Sequence, residues 1–369
     1  MTFDFDVIII GAGVIGAAIS DELTKNKYKV AIFEKNLRVA QETSEGNSGI
    51  IHGGFDPTPG KLNATLNLQG RKIYEKSWFK ELNFPWAKVD SLVLAFSKEE
   101  MLEVEKLYKR GLTNGVSENE LKVLTKEQVM KCEPNVNPNI VGALLCTASY
   151  VVDPVLLTQS LINRALKHKA QLFLNHEVIS IESLTSGFKI SCRTTNNKEI
   201  SFTCQYVINA AGHYAAEMAN MIGCHDFTLK TRRGQYCILE KTERNIINNH
   251  VLFMVPTIHG KGVIVAPMTD GHILVGPTAI DNVAKNETRI ITVDDIKYID
   301  KIGLRLIPSL NMNKTCKVTS GSRPICVNTD DFVIASASNN KNFINVAGIK
   351  SPGLSAAPAI ALLVTKLLK

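Results

Sequence analysis

The chain has eight cysteines in 369 residues, and no two of them form a C-x-x-C pair. That absence argues against a zinc ribbon, a redox dithiol and a disulfide framework together, and it predicts reduced, mostly buried thiols. No stretch approaches the 18 or so continuous apolar residues of a membrane span. The apolar run near the N-terminus is too short to cross a bilayer and lacks both the basic flank and the cleavage site of a secretory leader. The expectation is a cytoplasmic protein with no integral membrane segment. There is no long basic run either: the net charge of +7 comes from 42 basic against 35 acidic side chains spread along the chain. Such dispersal argues against nucleic acid as a partner, while a modest positive field favours small anionic substrates. His259 and His272 have no carboxylate or cysteine at ligand spacing, so no metal is expected.

At this length the chain exceeds what one compact core usually holds, and two domains are expected. Its first thirty-five residues carry the clearest pattern. The apolar run Val7-Ile8-Ile9-Ile10 leads into Gly11-Ala12-Gly13-Val14-Ile15-Gly16, a helix is predicted over 17–24, and Val30-Ala31-Ile32-Phe33-Glu34 reads as a second strand. Gly11 permits the tight turn, Gly13 lets backbone approach a pyrophosphate, and Gly16 lets helix and strand pack closely. The helix N-terminus offers N–H groups and a positive dipole end to phosphates. Glu34 is placed to accept hydrogen bonds from ribose hydroxyls and would repel a 2′-phosphate. NADP is therefore disfavoured, and FAD or NAD remain.

The next informative stretch runs from Gln41 to Gly60 and is small, polar and glycine-rich, hence a loop. Thr43, Ser44 and Ser48 are placed to reach the cofactor. His52 follows, between the pair Ile50-Ile51 and the pair Gly53-Gly54. Its ordinary pKa near operating pH and the room left by the glycines make it a candidate general base.

Further on, Asp153-Pro154 is a helix start, Asp as cap and Pro at the first position, with the helix running to about His168. Strands are expected at Gln171 to Leu174, Phe188 to Arg193 and Ile200 to Cys204, the latter two in a small meander. Tyr206 to Asn209 is a further buried strand that ends in Ala210-Ala211-Gly212. From Thr228 to Val318 the alternation suits an antiparallel sheet, interrupted by a helix from Asp294 to Leu306. Two cations there could carry chemistry. Lys261 stands between two glycines, and Arg323 offers a guanidinium fork that matches phosphate oxygens. Arg232 and Arg233 are adjacent, so in a strand only one can point inward. The chain closes with a strand at Phe343 to Gly348, a glycine-proline loop at Ile349 to Leu354, and an apolar helix with Ser355 near its cap. Lys350 adds positive charge in that loop.

Together, Gly11 to Gly16, Glu34, Thr43-Ser44, Asn47 to His52, Arg232 to Tyr236, Val255 to Val263, Gly276 to Ala279, Gly321 to Pro324 and Lys350 to Leu354 resemble the FAD-dependent D-amino-acid-oxidase-like superfamily. Within it the pattern is most similar to short soluble bacterial glycerol-3-phosphate oxidases. The resemblance covers essentially the whole chain. It implies an α/β fold: a Rossmann-type FAD-binding domain interleaved with an antiparallel-sheet substrate domain, at residues 1–80, 149–220 and 325–369 and at 81–148 and 221–324 respectively. It implies FAD contacts from Gly11, Gly13, Ile15, Gly16, Glu34, Thr43, Ser44, Ser48, Gly49, Ile50, Val178, Ala211, Gly212, Gly348, Ile349 and Leu354. His52 would take the proton of a secondary alcohol, with Lys261, Arg323, Lys350 and Ser351 around the substrate anion. The implied reaction converts sn-glycerol 3-phosphate to dihydroxyacetone phosphate, molecular oxygen being reduced to hydrogen peroxide. Two alternatives stay open: an L-2-hydroxyglutarate oxidase, because the His52 and Lys350 loops resemble those enzymes too, and an FAD-binding protein without turnover.

Overall fold

The structure is a computed structural model that describes residues 2–256 and 262–368. Its first sheet grows outward from the glycine turn. Phe5–Ile10 lies between Val30–Glu34 and Glu199–Asn209, with Gln171–Leu174 and Asn340–Ala347 outside them, all parallel, and Val333–Ala337 on the edge, antiparallel. The first strand carries no polar residue after Asp6 because both its faces are covered, as parallel sheets require. Val7 and Ile9 pack under the helices Val14–Lys25, Pro154–Lys167 and Gly353–Leu367, whereas Ile8 and Ile10 pack with Phe33, Phe188 and Val207 on the opposite face. Asp153 caps its helix as expected, its carboxylate accepting from the N–H groups of Val155 and Leu156 at 2.9 Å.

The strands expected at Ile200 to Cys204 and Tyr206 to Asn209 are one strand, Glu199–Asn209. Its first half pairs antiparallel with Gly187–Thr194, which pairs in turn with His176–Leu184. Its second half runs parallel to Phe5–Ile10. A single strand thus serves both the meander and the parallel core, and the polar Gln205 between the two apolar stretches interrupts the pattern without interrupting the ladder.

The second sheet carries ten strands among the described residues, and its pairings are antiparallel except where His250–Met254 runs beside Trp86–Ala95. Leu229–Leu239 and Thr315–Cys326 form its longest ladder, in register from Leu229 opposite Cys326 to Ile238 opposite Lys317. One face packs on the helix Val293–Leu306 through Cys237, Leu239, Val265 and Ile299. The other turns toward the first sheet. One close backbone approach, at Gly46, locks the halves together, and a second, at Gly70, packs the helix Leu62–Ile73 on the helix Gly353–Leu367. A Cβ on Gly46 would sit 2.3 Å from the Gly321 Cα, and one on Gly70 would sit 2.0 Å from the Ser355 carbonyl oxygen.

Candidate active site

Between the two sheets lies a cavity with about 2020 Å³ of space not filled by protein atoms, part of it open to solvent. It begins at the carboxyl ends of the first-sheet strands, where the chain leaves Phe5–Ile10 in one direction and Glu199–Asn209 in the other. Ligands of open parallel sheets bind at such switch points. Gly11 turns there with φ +103°, and a Cβ on it would meet the Ala210 carbonyl at 2.6 Å. Only glycine fits, and the helix that follows opens its first turn toward the cavity.

The loop after the second strand closes this turn from above. Ser44 Oγ accepts from the Val14 N–H at 2.9 Å, and Thr43 Oγ1 donates to the Ser322 carbonyl at 2.7 Å on the second sheet. Glu34 is buried, with one oxygen accepting from the Ala12 N–H at 2.9 Å and the other from the backbone and side-chain amides of Asn36. Its carboxylate therefore braces the glycine turn as well as facing the cavity. Ile15, Ser48, Ile50, Val178, Ala211, Gly212, Gly348, Ile349 and Leu354 line the cavity with these residues. Gly16 and Gly49 do not. A Cβ on Gly16 would fall 2.0 Å from the Gly11 carbonyl, and one on Gly49 2.4 Å from the Val152 carbonyl, so both glycines serve close packing behind the wall.

At the far end His52 is 8% exposed. Its backbone N–H donates to Ser355 Oγ at 2.8 Å, and its Nε2 stands 3.5 Å from Ser351 Oγ. Ser355 stands in the first turn of the last helix, which starts at Gly353, and its hydroxyl points inward to fix the chain just after the strand Ile50–Ile51. Behind the ring, a Cβ on Gly53 would collide with Cys146 Sγ at 2.3 Å, which leaves that position to glycine.

The roof supplies Arg323. It lines the cavity, its strand partner across the ladder is Arg232 on the same face, and Arg233 points the other way to Asp295 at 3.4 Å. Arg232 and Lys230 hold Asp281, and the hydrogen bond from Arg232, followed by that from Lys230, keeps this carboxyl well below the usual range against the cost of burial. Arg323 makes no side-chain hydrogen bond or ion pair among the described residues, and burial pulls its pKa down. A guanidinium drawn half out of water without a carboxylate beside it is costly to hold unless an anion arrives. Lys350 also lines the cavity but is bonded to Asp330. Lys261, the other expected cation, lies outside the described residues.

Tyr236 and Phe253 were not anticipated as part of this wall. Tyr236 is two residues from Gly234 and four from Arg232, so strand alternation alone puts it on the same face. Burial raises its phenol pKa, and the neighbouring Arg323 opposes that shift. His213 contacts the Ser322 carbonyl at 3.0 Å from Nε2 and also borders the cavity.

A long cavity that runs from a glycine cradle and a ribose-side carboxylate to a histidine and an unpaired arginine fits an extended dinucleotide with substrate at its far end. Comparison with known proteins agrees. Residues 6–367 match the family model described as FAD dependent oxidoreductase. The chain is 45% identical over 355 residues to the glycerol 3-phosphate oxidase of Mycoplasma pneumoniae, covering 96% of this chain and 92% of that protein. It is 40% identical to the glycerol 3-phosphate dehydrogenase of Caloramator mitchellensis, covering 99% of this chain and 74% of that one. The solved structure of dithionite-reduced L-α-glycerophosphate oxidase from Mycoplasma pneumoniae with FAD bound superposes with a TM-score of 0.94 at 44% identity, over 99% of this chain and 94% of that chain. The chain belongs to the FAD-dependent oxidoreductases, and its cofactor is FAD.

Proposed function

We propose that the protein oxidises sn-glycerol 3-phosphate to dihydroxyacetone phosphate, with molecular oxygen as terminal acceptor and hydrogen peroxide as second product. The observation that carries this reading is Arg323, a half-buried cation without a carboxylate partner among the described residues, in the same cavity as His52. The relatives named as glycerol 3-phosphate oxidases support it. Residues 1–80, 149–220 and 325–369 form the FAD-binding part in this reading, and 81–148 and 221–324 the substrate side. Gly11, Gly13, Glu34, Ser44, Ala211 and Gly348 would be among the residues that hold FAD. Bound FAD supplies the two-electron acceptor.

The chain's own groups do the rest. His52 Nε2 takes the proton of the substrate's secondary hydroxyl, and its near-burial keeps competing water away. Ser351, within 3.5 Å of that nitrogen, orients the ring and the hydroxyl. Arg323 binds the phosphate as a fork, which fixes the distance between anion and reacting carbon. The free and largely buried cysteines fit a reducing, cytoplasmic setting. Among the described residues no helix is long and apolar enough to cross a membrane.

The test is anaerobic. Purified holoprotein is mixed with glycerol 3-phosphate or with L-2-hydroxyglutarate, the flavin absorbance is followed, and air is then admitted while peroxide is measured. Bleaching by glycerol 3-phosphate followed by stoichiometric peroxide is the expected result. Bleaching by the hydroxy acid alone would sink the assignment, and bleaching without peroxide would move the acceptor from oxygen to another oxidant.

A further inference from the structure

At the His52 end of the cavity, three chain segments meet on one carboxylate. Lys350, one residue before Ser351, gives its ammonium to Asp330 Oδ1. Lys61, at the entry to the helix Leu62–Ile73, donates to the Asp330 carbonyl at 3.0 Å and stands 3.3 Å from Oδ2. The Asp330 side chain is 62% exposed, and its backbone has φ +50°, a conformation that Asp and Asn tolerate better than other non-glycine residues. Its neighbour Asp331 anchors the turn, accepting from the N–H groups of Leu62 and Asn63 at 2.7 and 3.0 Å. The turn also packs against the cofactor loop, since a Cβ on Gly348 would lie 3.1 Å from the Asp331 carbonyl. The turn that carries the carboxylate is thus held by contacts on either side, and Lys350 both lines the cavity and reaches Asp330.

We propose that Asp330 is a positioning residue that stores Lys350 until substrate arrives and then yields it to the phosphate, so that the pair sets the preference for a doubly charged group. The inference rests on the glycerol 3-phosphate reading. A phosphate monoester carries about 1.5 to 2 negative charges near neutral pH, and Arg323 meets only one of them. Lys350 is the next cation at this end of the described lining. Its present partner is solvent-exposed, so the exchange costs little, whereas the phosphate inside the cavity is less screened and offers the stronger attraction. A neutral alcohol has no charge with which to draw Lys350 away from Asp330.

The experiment compares holoenzyme of the parent, D330N, K350M and the double variant, with glycerol 3-phosphate and with glycerol as substrates. D330N should lower KM for glycerol 3-phosphate about two- to fivefold while kcat stays within about twofold and KM for glycerol does not change. In the K350M background the D330N substitution should have no effect on KM. An unchanged or raised KM in D330N, or the same drop without Lys350, overturns the proposal. If D330N does not fold, D330G keeps the positive φ, removes the carboxylate and is judged by the same two outcomes. A parent enzyme whose flavin is not reduced by glycerol 3-phosphate defeats the functional reading instead. The pair is then probed with inorganic phosphate and the flavin spectrum: tighter phosphate binding in D330N upholds the exchange, and equal binding overturns it.

Discussion

The two ends of the cavity are assembled from very different stretches of chain. At the Glu34 end the decisive contact joins Ala12 to Glu34, 22 residues apart, through a strand, a helix and a strand that fold as one unit. At the His52 end, Ser351 and Ser355 come from 299 and 303 residues away, and Arg323 arrives from the second sheet. The first end is rigid backbone geometry that binds a constant ligand. The second is a convergence of side chains from separate elements, which is where substrate choice can change without disturbing the cofactor.

That contrast predicts that changes at one end leave the other intact. The largest effect is expected from His52→Ala, which should slow flavin reduction by glycerol 3-phosphate about 10²- to 10⁴-fold with FAD still bound. Stopped-flow reduction at the parent rate would remove His52 from the mechanism. Next comes Arg323→Ala, expected to raise KM for glycerol 3-phosphate about 30-fold or more through loss of the charged contact to the phosphate inside the cavity, and to affect glycerol far less. Equal losses on both substrates would place the phosphate elsewhere. Glu34→Ala tests the opposite end. It should weaken FAD binding about tenfold to a hundredfold, by titration of apoprotein, and leave the substrate KM of the reloaded enzyme within about twofold. A large KM change there would show that the ends are coupled. The smallest effect concerns His213, at the join between the halves. Burial pulls its pKa below the ordinary 6.5, and the hydrogen bond to the Ser322 carbonyl opposes this only in part. The unfolded chain therefore binds a proton near pH 6.5 that the folded chain refuses, so stability is complete above that pH and declines as pH falls below it. Denaturation midpoints between pH 7.5 and 5 should show this decline, and His213→Gln should flatten it; an identical slope in the variant would rule His213 out as its source.

How much of this could be read before folding follows the same division. The glycine turn, the strand on each side and Glu34 were legible because their spacing is local and each residue type answers one geometric need. Asp153-Pro154 was legible for the same reason. Ser355 was placed near the helix start, where it is, but its bond to the His52 N–H was not legible, because a serine there looks alike whether its hydroxyl turns to its own backbone or to a segment 303 residues away. Glu199–Asn209 looked like two strands because pattern reports which faces are buried and not which partners cover them. Gly16 was legible as the residue that lets helix and strand pack closely, and the Gly11 carbonyl 2.0 Å from a Cβ there agrees; the same need at Gly49, beside the Val152 carbonyl, has no local signal. Tyr236 was within reach of strand alternation, counted from Arg232, once the ladder with Thr315–Cys326 was known.

By itself, then, the chain determined a dinucleotide cradle and a short set of charged and hydroxyl residues fit for the chemistry, because these follow from residue type and near spacing, and its resemblance to a family carried that cradle to FAD. Only the tertiary structure decided which cation stands unpaired and which is held by Asp330, and which hydroxyl reaches His52. Those outcomes depend on the register of Leu229–Leu239 with Thr315–Cys326 and on the approach of the Lys350 loop to the turn at Asp330, contacts that no local pattern encodes.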